Sequence, residues 1–204
     1  MVAVKVFVEG GGDNNRALTN ECRASFASFI RKAGLVGQMP KIIPCGGRQI
    51  AYKRYCIAIN NGERAFLLVD SESAVSDASP WQHLLTRKGD NWSCPTGGKD
   101  EDCHLMVQVM ETWFLCDTDT LKAYYGQGFN ENCLPKNNDV EKISKQDIEQ
   151  ALKIATKSTK KGEYSKGAHS FEILAQIDPH KILQQSQWAQ RFINALVDKM
   201  NQIA

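Results

Sequence analysis

No run in this 204-residue sequence approaches the roughly 20 apolar residues that a membrane-spanning helix needs. The apolar start from Met1 to Val8 is too short for a signal core and runs straight into acids. Cysteine pairing is undeveloped too. Cys22, Cys45, Cys56, Cys94, Cys103, Cys116 and Cys133 are odd in number, irregularly spaced and without a Cys-x-x-Cys pair. That argues against a disulfide framework, and Cys94 with Cys103-His104 is too sparse for structural zinc. A cytoplasmic protein with reduced thiols and no membrane contact is expected. No Gly-Lys-Ser/Thr follows Gly10-Gly11-Gly12 and the dinucleotide-binding spacing is missing, which excludes the common glycine-rich phosphate cradles. A net charge of +2 is too small to mark a nucleic-acid binder by itself. There is no internal repeat and no low-complexity segment.

What is present is a pair of strand-like runs that end on acids. Val4-Lys5-Val6-Phe7-Val8 empties into Glu9-Gly10-Gly11-Gly12-Asp13, and Ala65-Phe66-Leu67-Leu68-Val69 into Asp70-Ser71-Glu72. Continuous aliphatic runs of this length read as strands buried on both faces. In an open α/β sheet the carboxyl ends of the strands form the ligand crevice. Four carboxylates delivered there repel one another unless a cation neutralises them.

Between and after these runs the pattern alternates. Leu18, Cys22, Phe26, Phe29 and Ile30 predict a helix over 16–32, capped by Asn14-Asn15 and closed by Gly34. Lys41-Ile42-Ile43 reads as a short extended run between two prolines, 48–59 as a helix, and Asn60-Asn61-Gly62 as a turn. Ser79-Pro80 opens a short helix, 87–101 is polar and glycine-rich, and 104–109 reads as a fourth strand that delivers a fifth acid, Glu111. The remainder is helical in character. A short helix from Asp117 stops at Gly126, and 127–142 is a polar connection. Ser144 with Asp147 forms a capping box, and a final helix from about Ser186 carries Trp188, Phe192, Leu196, Met200 and Ile203 on one stripe. The expected fold is α/β, a parallel Rossmannoid sheet with helices on both faces and a C-terminal helical extension. The division is an α/β core over 1–116 and a helical extension over 117–204 packed on it.

The acids carry the chemistry. Glu9 and Asp13 are four residues apart across three glycines that let the backbone turn tightly. Asp70 and Glu72 project to one side if the chain stays extended. Such hard oxygen ligands suit Mg²⁺ or Mn²⁺, and two such ions can serve a phosphodiester displacement. Taken singly, each acid is equally well a solvated loop acid, an N-cap or an Asx turn. Together, at the ends of two core strands, they point to a metal. Glu111 either completes the shell, orients a water or caps the helix at Thr112-Trp113. Trp113 reads as core, and His104 and His169 as either acid–base groups or, more commonly for a lone histidine, structural ones. Five lysines from Lys153 to Lys166 (with Lys157, Lys160 and Lys161 between) face a single acid, Glu163. They form either a solvated helix end and loop or a strip for a phosphate backbone.

A strand ending in glutamate with glycines after it, followed by a later strand ending in Asp-x-Glu, resembles the Toprim domain. Asp13 resembles the extra acid of the Toprim nucleases of the overcoming-lysogenisation-defect type. Met110-Glu111-Thr112-Trp113 and Tyr164-Ser165-Lys166 resemble segments of small stand-alone bacterial Toprim-like proteins. The resemblance implies a Mg²⁺-dependent nuclease of DNA or RNA that uses Glu9, Asp13, Asp70 and Glu72 with Glu111 auxiliary. It implies that Lys166 neutralises charge on the scissile phosphate. It also implies an AAA- or SMC-like ATPase partner in phage defence. The second pair is Asp-x-Glu where the family has Asp-x-Asp, and the chain is too short for topoisomerase activity. The rival reading is a non-catalytic Toprim-like subunit that docks on an ATPase; a small-molecule phosphoryl-transfer enzyme is a third.

Overall fold

The structure, a computed structural model, describes residues 4–12, 15–35, 37 and 39–202. Strands and helices alternate through the first half: β1 (Lys5–Val8), α1 (Arg16–Lys32), β2 (Lys41–Pro44), α2 (Arg48–Asn60), β3 (Ala65–Asp70), α3 (Pro80–Thr86) and β4 (Cys103–Met106). The strands make one parallel sheet in the order β2-β1-β3-β4. From β1 the chain goes to one side for β2, then crosses to the other side for β3. The topological switch point therefore lies between β1 and β3, where α/β sheets open their ligand crevice.

β1, β3 and β4 bury both their faces, whereas the edge strand β2 leaves Lys41 exposed. Val6, Val8, Phe66 and Leu68 join one hydrophobic cluster, and Phe7, Ala65, Leu67 and Val69 join another. α1 covers the first face with Cys22, Phe26, Phe29 and Ile30; α2 and α3 cover the second with Ala51, Tyr55, Ala58, Trp81 and Leu84. Two covered faces are the reason the strands read as unbroken apolar runs.

The second half adds α4 (Thr112–Leu115), α5 (Thr118–Tyr125), α6 (Lys145–Thr156), α7 (Lys166–Gln176), α8 (Pro179–Gln185) and α9 (Gln187–Asn201). α7 and α9 complete the first cluster with Ile173, Leu174, Phe192 and Leu196. α7 lies along α1. The buried Ser25 hydroxyl donates to the Phe171 carbonyl at 2.6 Å, and Lys32 Nζ donates to the carbonyls of Ala175 and Gln176 at 2.7 and 3.0 Å. Lys32 thus satisfies carbonyls that the end of α7 leaves open. Trp113 is core as expected, stacked on Phe29 with ring centroids 4.9 Å apart. The side chains of Asn15, Ser79, Asp117 and Ser144 cap their helices as the sequence predicts. Asn14, Asp13 and Ile203 lie outside the described residues.

Three expectations change. β4 ends at Met106, not Val109. The Gln108 amide donates to Thr112 Oγ1 at 3.1 Å and the Thr112 amide to the Val109 carbonyl at 3.0 Å, a local turn that displaces the ladder. Glu111 therefore belongs to a turn five residues beyond the strand. The polar loop over 87–101 is mostly exposed, yet it turns the Asp90 carboxylate and the Trp92 ring inward. Lys166, read as part of a basic loop, is the first residue of α7.

Candidate functional site

Glu9 and Asp70 flank the switch point because β1 and β3 are neighbours in register. The Glu9 amide still donates to the Leu68 carbonyl at 3.0 Å, and the Asp70 amide donates to Glu9 Oε2 at 3.1 Å. The glycines then set the mouth of the crevice. Gly10 and Gly46 exchange two backbone hydrogen bonds at 2.8 and 2.7 Å, tying the ends of β1 and β2 together. Gly11, at φ +89°, leaves no room for a side chain, since a Cβ there would stand 2.8 Å from Pro44 Cβ.

One carboxylate oxygen each from Glu9, Asp70 and Glu72 falls within 4.8 Å of the others. Glu72 arrives by a turn and not by the extended path expected of it. Its φ is +68°, a left-handed conformation costly to a residue with a Cβ. Ser71 and Glu72 amides donate to the carbonyls of Met106 and Gln108 at 2.9 and 2.8 Å, which holds that turn against the end of β4.

Four cations enter this acidic centre. Arg48 Nη1 lies 3.6 Å from both Glu9 Oε2 and Glu72 Oε1 and donates to the Asp70 carbonyl at 3.0 Å. Its Nε and Nη2 are gripped by both oxygens of Asp90 at 2.9 and 2.6 Å. Arg87 also pairs with Asp90, at 3.0 Å, and reaches Glu72 at 3.9 Å. Lys145 donates to Glu72 Oε2 at 2.7 Å. Lys166 donates to Asp70 Oδ2 at 3.2 Å and lies 3.4 Å from Glu111 Oε2. The repulsion that sequence reasoning assigned to an ion is thus largely met by side chains.

It is not wholly met. Burial raises the Glu9 carboxyl to about 7, with Asp70 adding to the rise and Arg48 opposing it. Burial likewise raises Asp70 to about 6; Lys166 opposes, and Glu111 and Glu72 add. Burial would raise Glu72 as well, but Lys145, Arg48 and Arg87 bring it below its ordinary value. Burial opposes the charge of Lys166, yet Asp70 and Glu111 hold it above the usual lysine range.

Glu111 caps nothing. It is fully buried, its Oε1 accepts from the Tyr164 hydroxyl at 2.7 Å, and its Oε2 has no hydrogen-bond partner. Three converging hard-oxygen donors, from Glu9, Asp70 and Glu72, fit a small divalent cation. Beside them a cavity of about 430 Å³ is lined by Glu111, Lys166, Tyr164 and Lys153, among others.

The centre brings together Glu9, Asp70 and Glu72, with Lys166 and Glu111 on the Asp70 side, and Asp13 lies outside the described residues. Arg48, Arg87, Asp90 and Lys145 were missed. Arg48 alone carried a signal, since it opens the helix after Gly46-Gly47, at the same carboxyl edge of the sheet. His104 is fully buried, edge-on to Phe66 and Phe192 and 3.0 Å from the Arg191 guanidinium through its Nδ1. Among the described residues no helix is long and apolar enough to cross a membrane.

No curated protein and no solved structure matches the chain. A family model described as a domain of unknown function, DUF4276, matches residues 8–197, which include every residue of the centre. The chain belongs to the DUF4276 family.

Proposed function

We propose that this chain is a divalent-metal-dependent hydrolase of nucleic-acid phosphodiester bonds. The observation that carries the reading is the convergence of Glu9, Asp70 and Glu72 within 4.8 Å at the switch point of a parallel sheet. Glu9, Asp70 and Glu72 would hold Mg²⁺ or Mn²⁺, which supplies a Lewis acid for the phosphate and acidifies a water. Lys166 is half exposed beside Asp70 and donates to a non-bridging phosphate oxygen as charge builds there. Glu111 anchors Lys166 from the buried side, and Tyr164 fixes Glu111. The Toprim resemblance supports the same reading and adds an AAA- or SMC-like ATPase as partner.

The test is incubation of the purified chain with single-stranded DNA, duplex DNA and RNA in Mg²⁺ or Mn²⁺. Glu9→Ala and Asp70→Ala should each lower cleavage by on the order of a hundredfold with the fold retained by circular dichroism. Undiminished cleavage by either variant rejects the reading.

A second reading, a non-catalytic subunit that docks on an ATPase, is favoured by the ion pairs of Arg48, Lys145 and Lys166 with the acids. It expects no cleavage of any substrate by the intact chain, alone or with the ATPase.

A further inference from the structure

We propose that Arg48 is the anion-binding residue of this centre: its guanidinium leaves Glu9 and Glu72 for a phosphate oxygen as a divalent cation takes over those carboxylates, so that cation and phosphate bind as a coupled pair. The proposal rests on the metal reading above.

Charge counting supports it first. Among the described residues, five carboxylates (Glu9, Asp70, Glu72, Asp90 and Glu111) pair within 4 Å with four cations (Arg48, Arg87, Lys145 and Lys166). With all of them ionised the centre carries one excess negative charge. A divalent ion converts that excess to one positive charge, which a phosphodiester monoanion cancels. Neither the ion nor the anion alone leaves the centre neutral.

Geometry supports it second. Arg48 Nη1 stands 3.6 Å from one oxygen of Glu9 and 3.6 Å from one of Glu72, among the donors that would ligate an ion. Guanidinium and ion therefore compete for the same two carboxylates. The other edge of the guanidinium does not depend on them. Asp90 holds Nε and Nη2 with two short hydrogen bonds, and the carbon of the guanidinium lies 5.1 Å from the centre of the Trp92 ring. When an ion enters, Nη1 loses its carboxylates while the fork stays anchored beside them. A planar, always-charged donor held next to a metal is suited to a phosphate oxygen.

The experiment is titration of the chelator-treated full chain with Mn²⁺ by calorimetry, with and without inorganic phosphate. It is run on the natural protein, on Arg48→Met, and on Arg48→Gln, which keeps donors toward Asp90 without the charge. In the natural protein phosphate should tighten Mn²⁺ binding, by about tenfold for a coupling of ordinary size. Either folded variant should bind Mn²⁺ alone about tenfold more tightly, because a positive charge beside the ligands is gone. Both variants should lose the gain given by phosphate. If the natural protein binds Mn²⁺ but a folded variant binds no tighter, or keeps the phosphate gain, the role of Arg48 is refuted and the metal reading stands. If the natural protein binds no Mn²⁺, both fall.

Discussion

Glu9 and Asp70 hold protons that ordinary carboxyls have already released. In the unfolded chain they titrate near 4.5 and 3.8, but in the fold near 7 and 6, chiefly because burial disfavours the charge. A carboxyl raised in this way contributes stability that is fully present below its unfolded value and is lost as pH rises through the folded one. Glu72 acts in the opposite sense, since its lowered carboxyl contributes stability above its ordinary 4.5 that is lost as pH falls. Metal-free protein should therefore lose stability between about pH 4 and 7 through Glu9 and Asp70. Melting temperatures in chelator check this. Glu9→Gln should flatten the slope over that window, and a slope identical to that of the natural chain would contradict the assignment. The acids were legible in the sequence because they end apolar runs. Their partners were not, because Arg48, the Arg87–Asp90 pair and Lys145 reach the centre from three separate segments that no sequence pattern connects.

At the scale of elements, the strands were legible for a physical reason. Burial on both faces forces a continuous apolar run, and the parallel order follows from helices between them. α7 was not delimited, because Ser165 makes no capping hydrogen bond and the helix opens on Lys166-Gly167-Ala168. Its apolar residues, Phe171, Ile173 and Leu174, pair with α1 across the fold and not with a neighbour in sequence. The link between β1 and α1 gives the sharpest element-level test. Gly11→Ala demands a left-handed φ of an L-residue and drives its Cβ to 2.8 Å from Pro44 Cβ. It should cost about 2 kcal/mol of stability by denaturant titration, through strain and displacement of the end of β2. A loss no larger than that of an exposed surface substitution would show that the turn relaxes freely.

On the scale of the molecule, one hydrophobic cluster contains β1, β3 and α1 together with α6, α7 and α9. A fragment of residues 1–116 would leave Val6, Val8, Phe66 and Leu68 without the cover that Ile173, Leu174, Phe192 and Leu196 provide. That fragment should show no cooperative thermal transition by circular dichroism, whereas the full chain should melt in one step. A sharp melt of the fragment would mean that the α/β part stands alone.

The distance in sequence between Asp70 and Lys166, 96 positions, also has a meaning in time. A ribosome adding about 5–20 residues per second presents the acids of β1 and β3 on the order of ten seconds before the lysine that answers them. α1 waits longer still for its partner, since Ser25 bonds to a carbonyl 146 positions later. During that interval Arg48 already accompanies Glu9 and Glu72, but Asp70 lacks the ammonium that pairs with it. The centre comes into being only after Lys166 has emerged.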